Sequence, residues 1–219
     1  METINTIIIK FPEINLLTRD AHKLRGYFGN VFKEHSPLLH NHFSDGSYRY
    51  AYPLVQFKVI DAVPYLAGFN EGAGLLLKLF LKIKEIVIEG KNYPVLSKNM
   101  QQINTNPEMN GELHEYQFKT LWMALNQQNF NKYRELTDGE KPGFLDKQLR
   151  NNILSFYKGI GYWTKGQIMV KASLTPKQTL FKNKKMTAFT GGFISNAILP
   201  DYAGLGKSVS RGFGTIVKQ

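Results

Sequence analysis

Apolar and polar positions along the chain change period repeatedly, and each change marks an element. Ile4 to Phe11 is a β-branched run that reads as a strand, ended by the loop Pro12-Glu13-Ile14-Asn15. Leu17, Ala21, Leu24 and Phe28 then recur at spacings of four and three, which predicts an amphipathic helix with Thr18 as its cap. Ser47 to Ile60 and Val63 to Phe69 read as two strands joined at Asp61-Ala62, with Tyr48, Tyr50 and Tyr52 on one face of the first. Those alternating tyrosines are read as packing rather than as a ligand face. Glu71 to Ile83 is a Leu-rich helix, and Ile86 to Leu96 returns to strand character around Glu89-Gly90-Lys91-Asn92.

The order is β-α-β-β-α-β, the split pattern of a ferredoxin-like domain. The polar run from Lys98 through Asn106-Pro107 to residue 111 reads as a connection between halves. A second round follows: a strand near Tyr116 to Met123, helices near Asn129 to Leu136 and Leu145 to Tyr157, then strands again. From Gln167 to Thr175, Ile168, Val170, Ala172 and Leu174 share one side, and Leu180 to Phe189 carries a basic turn at Lys182-Asn183-Lys184-Lys185. The expected fold is α+β, two tandem ferredoxin-like (RRM-like) domains at 1–100 and 111–219, the second ending in a glycine-rich loop.

Composition narrows the function. Cys is absent from the 219 residues, which excludes disulfide scaffolds, Cys-based zinc sites and thiol nucleophiles. No apolar run approaches the roughly 18 residues of a membrane span, since Leu75 to Leu81 is interrupted by Lys78. Met1-Glu2-Thr3 lacks the basic segment of a secretory signal, so a cytoplasmic location is expected, with no membrane partner. The formal net charge of +11 is carried by the last third, where residues 141–219 hold 13 of the 28 basic side chains but only two acids, Asp146 and Asp201. Such a region suits a polyanion, because each Lys or Arg that meets a phosphate releases counterions.

Residues 204–214 read Gly-Leu-Gly-Lys-Ser-Val-Ser-Arg-Gly-Phe-Gly. This is neither an NTPase phosphate loop, which needs glycine where Asp201 stands, nor a dinucleotide fingerprint, which needs glycine at Val209. A glycine-rich loop of this type, closing a ferredoxin-like pattern ahead of the last strand, resembles the signature of the RAMP superfamily of CRISPR-associated RNA-binding proteins. Within it the chain is similar to the endoribonuclease family that cuts repeat RNA into guide units. RNA would be held by Gly204, Gly206, Lys207, Ser208, Ser210, Arg211, Gly212 and Gly214, with Lys182, Lys184 and Lys185 of the basic turn.

Three of the five histidines, His35, His40 and His42, fall between the first helix and the second strand. The resemblance implies that histidines in this region act in catalysis together with a tyrosine on the preceding helix, which His40, His42 and Tyr27 match, Tyr27 being able to stand in for either histidine. Its lysine has no clear counterpart, and Lys23, Lys33 and Arg49 are candidates. RNA carries its own nucleophile, the 2′-hydroxyl, so a metal-free enzyme need only align it, take its proton and protonate the departing 5′-oxygen. Imidazole does either near neutral pH, and residues 40 and 42 of an extended segment point to the same side. The expected products are a 2′,3′-cyclic phosphate and a 5′-hydroxyl. His-x-His is also a metal-binding spacing, but a third ligand would have to come from His35 or a distant carboxylate, so no metal or other cofactor is expected. The competing readings are a catalytically silent RAMP subunit that holds guide RNA among other effector-complex subunits, and a metal-dependent nuclease. A monomer or homodimer is consistent with either.

Overall fold

The computed structural model describes residues 3–32, 34, 52–181 and 184–219. The chain divides into two compact units, Met1–Thr105 with Ser210–Gly212, and Asn106–Val209 with Phe213–Gln219.

The first unit runs β1 (Ile4–Lys10), α1 (Ala21–Val31), β2 (Val55–Ile60), β3 (Val63–Phe69), α2 (Glu71–Leu79), β4 (Glu85–Ile88), β5 (Lys91–Pro94) and β6 (Asn99–Thr105). Its antiparallel sheet has the order β2-β3-β1-β6. Two of these features correct the sequence reading. The fourth strand of the ferredoxin-like sheet is β6, drawn from the polar stretch expected to be a connection, with Ile8 opposite Gln101. It is an edge strand whose side chains are mostly exposed, so it lacks the apolar alternation that marks a strand in sequence. The segment read as that fourth strand is instead a separate hairpin, β4-β5, turning at Glu89 and Gly90, both with positive φ.

Thr18 does not cap α1; it opens a one-turn 3-10 helix, Thr18–Asp20. The capping contact comes from Asp20, whose Oδ2 accepts the Leu17 N–H at 3.1 Å. Three of the four stripe positions behave as their spacing requires, for Ala21, Leu24 and Phe28 are buried, whereas Leu17 precedes the helix and is exposed. Phe28 stacks with Phe11, Phe32 and Phe57 at centroid distances of 6.4, 6.0 and 5.8 Å, over a core that includes Ile7, Ile9, Val59 and Leu66.

The second unit runs β7 (His114–Phe118), α3 (Gln127–Glu135), α4 (Lys141–Gly159), β8 (Val170–Phe181), β9 (Lys184–Ser195) and β10 (Ile216–Lys218), with sheet order β10-β7-β9-β8. Counting each unit's four strands in sequence order, both sheets run 4-1-3-2. The expected tandem ferredoxin-like fold is therefore present, but in the second unit both helices precede its second strand and the glycine-rich segment stands where the second crossover helix would be. Tyr116, Phe118, Trp122, Phe189 and Phe193 form its aromatic core. Among the described residues no helix is long and apolar enough to cross a membrane.

Candidate functional site

The segment between α1 and β2 carries His35, His40 and His42, and with Lys33 and Arg49 these lie outside the described residues. Its two flanks are described. On the α1 side, Tyr27 is half-buried and its hydroxyl donates to the Glu85 carbonyl at 2.9 Å. Burial, aided by the Glu85 charge, pushes its phenol up, so the phenolate is scarcer near neutral pH than that of a free tyrosine. Lys23, one candidate cation, is held by two carboxylates, 2.8 Å from Asp20 and 2.9 Å from Glu89, and these hydrogen bonds raise its pKa. Of the two described histidines, His22 is exposed, its Nδ1 2.6 Å from the Arg19 carbonyl, and His114 is buried in β7.

On the β2 side stands a residue that sequence reasoning missed. Lys58 is fully buried, and its Nζ donates to Gln56 Oε1 at 2.8 Å. The Gln56 amide nitrogen in turn donates to the Tyr52 hydroxyl and the Pro53 carbonyl. Burial pushes the Lys58 ammonium down to about 7, close to even protonation at neutral pH. In sequence, Gln56 and Lys58 alternate with Val55, Phe57 and Val59, which reads as the solvent face of a half-buried strand. Every residue of β2 is buried, however.

The glycine-rich segment reaches the same neighbourhood. Gly212 is buried, and a Cβ there would lie 2.8 Å from the Ala21 Cβ and 3.2 Å from the Phe57 carbonyl oxygen. Only glycine lets the backbone pass this close to the start of α1 and the edge of β2. Arg211 beside it is half-buried and near enough to act electrostatically on Arg25 of α1; burial, and then the Arg211 charge, hold the Arg25 guanidinium below its ordinary value. Arg25 is the second residue the sequence reading missed, since a lone arginine on a helix carries no signal of what packs beside it.

The remaining glycines serve the second unit internally. A Cβ on Gly214 would overlap the Leu205 carbonyl oxygen, while Gly204 pairs with Thr215 and the Lys207 N–H donates to the Met123 carbonyl. Gly206 lies against Met123 and Trp122. The loop is thus bound to its own scaffold, presenting exposed Lys207 and half-buried Ser208 and Ser210. At the tip of the β8-β9 hairpin, Lys182 and Asn183 lie outside the described residues; Lys184 pairs through its backbone with Phe181, and Lys185 is exposed.

Comparison with known proteins places this arrangement among relatives. The family model of the Cas6b N-terminal domain matches residues 2–106, and that of the Cas6b C-terminal domain matches residues 108–219. Uncharacterized protein MJ0978 of Methanocaldococcus jannaschii is 31% identical over 144 residues, 64% of this chain and 97% of the relative. A solved structure described as Cas6b matches with a TM-score of 0.94 at 35% identity, both chains covered in full. Another, described as the CRISPR RNA processing endoribonuclease Cas6b, gives 0.80 at 33% identity, again with full coverage of both. Csf5, a type IV Cas6 crRNA endonuclease, shares the fold at a TM-score of 0.62 and 10% identity.

Proposed function

The chain belongs to the Cas6b family, whose N- and C-terminal domains it carries in order, and from that premise we propose that it is an endoribonuclease that cleaves CRISPR repeat RNA without a metal. The observation that carries this reading is the full-length likeness, at 33% identity, to a Cas6b described as a CRISPR RNA processing endoribonuclease. In the proposed reaction one imidazole of the His40 and His42 pair takes the 2′-hydroxyl proton as the 2′-oxygen bonds to the adjacent phosphorus. The bond from phosphorus to the 5′-oxygen breaks, and the other imidazole protonates that oxygen. The products are a 2′,3′-cyclic phosphate and a 5′-hydroxyl. The cation that offsets the extra transition-state charge is drawn from the basic groups flanking the α1-β2 segment, with Arg25 and Arg211 the described pair. Tyr27 supports this site by holding α1 to the Glu85 backbone. Lys207, Ser208, Ser210 and Arg211, with Lys182, Lys184 and Lys185, hold phosphates along the RNA.

His42→Ala and His40→Ala should each lower the cleavage rate by roughly 10²–10⁴ while repeat-RNA binding persists. Replacing the 2′-hydroxyl upstream of the scissile phosphate by hydrogen should abolish cutting and leave binding intact. Cleavage of the deoxy substrate would overturn the mechanism, and loss of activity in excess chelator would point to a metal-dependent nuclease. A protein that binds repeat RNA but never cuts it would be a guide-holding subunit.

A further inference from the structure

The chain has two tryptophans, and the second unit treats them oppositely. Trp122 is fully buried, its Nε1 donating to Asn152 Oδ1 at 3.0 Å. Trp163 is 71% exposed. An exposed leucine needs no explanation, but an indole is the largest apolar surface a chain can bury, and tryptophan is mostly buried in folded proteins.

The loop that carries Trp163 is pinned at both ends. Behind α4, the Gly161 N–H donates to the Lys158 carbonyl and the Tyr162 N–H to the Tyr157 carbonyl, a Schellman-like closure. The Tyr162 ring stands edge-on to Tyr157 at 5.0 Å, and the Tyr157 hydroxyl donates to the Ile198 carbonyl. After Trp163, the Gly166 N–H donates to Thr164 Oγ1, and Asn196 ties down the segment entering β8 through the Gln167 carbonyl and the Met169 N–H. The chain on either side of the exposed indole is therefore anchored.

The surroundings select the ligand. From Lys147 to Pro200 the chain contains no acidic residue, and exposed Lys158 and Lys165 flank the indole at five positions before and two after. An exposed indole with exposed lysines near it in sequence, in a segment free of carboxylates, matches the chemistry of an unpaired nucleobase joined to its phosphates.

We propose that Trp163 is a stacking platform for an unpaired base of the RNA, a binding subsite in the second unit outside the residues assigned to cleavage. The inference rests on the RNA-processing reading above and adds the place where single-stranded RNA is gripped.

The test titrates the full-length protein with repeat RNA carrying 2′-deoxyribose at the scissile position. Trp163→Ala should weaken binding roughly 5- to 150-fold, while Trp163→Phe should retain most of the affinity. The salt dependence should be the same in all three proteins, because stacking neutralises no phosphate. RNA should quench the tryptophan emission of the natural protein but not that of Trp163→Phe, in which only buried Trp122 remains and reports that the fold is intact. Unchanged affinity in Trp163→Ala, with unquenched emission in a protein that still binds RNA, would overturn the subsite alone. Failure of the natural protein to bind repeat RNA at all would overturn the RNA-processing reading with it.

Discussion

A lysine folded into an apolar strand makes stability depend on pH with a definite sign. Lys58 titrates near 7 when folded and near 10.5 when free, so between these values the unfolded chain binds the extra proton. Stability should therefore rise with pH through that window, the burial penalty being complete below it and absent above it. The full penalty is on the order of 5 kcal/mol. Lys58→Met should flatten the rise, read as the difference in denaturant midpoint between about pH 7 and about pH 10; an unchanged slope would mean that Lys58 keeps its charge when folded. Gly212 makes a second claim at this scale. Its φ of +88° and its closeness to Ala21 and Phe57 mean that Gly212→Ala should destabilise the fold by roughly 1–3 kcal/mol, measurable by thermal unfolding.

Among elements, α1 has the clearest energetic assignment. Phe28→Ala removes the ring at the centre of a four-phenylalanine stack and should cost about 3–5 kcal/mol, whereas Leu17→Ala, at a position 56% exposed, should cost little. Equal losses in urea denaturation would show that the stripe was misread. Elements that bury one face were legible in the sequence for this reason: Ala21, Leu24 and Phe28 on α1, and Val170, Ala172 and Leu174 on β8, are less exposed than the positions between them. What stayed hidden was governed by contacts remote in sequence. β6 is polar because its side chains face water, so only its backbone pairing with β1 identifies it. Arg25 and Lys58 gain their meaning from Arg211 and from the burial of a whole strand, neither of which is encoded in local spacing. The glycine-rich segment was recognised as special, yet part of its glycine content is explained by backbone packing on Leu205 and Ala21.

For the molecule as a whole, the acid-poor last third predicts strongly salt-dependent binding. The logarithm of the repeat-RNA association constant should fall linearly with the logarithm of salt concentration, and Arg211→Gln should reduce the steepness by roughly 0.7 if that guanidinium meets one phosphate. An unaltered slope would remove Arg211 from the RNA contacts. The segment around it has a further consequence, for Ser210–Gly212 groups with Met1–Thr105 although the bulk of the second unit, Asn106–Val209, lies between them in sequence. Domains emerging from a ribosome ordinarily settle in order, the earliest first. Here the earliest cannot be finished until residues 210–212 have been made, so a nascent polypeptide halted after Thr105 should hold an immature version of its own leading half.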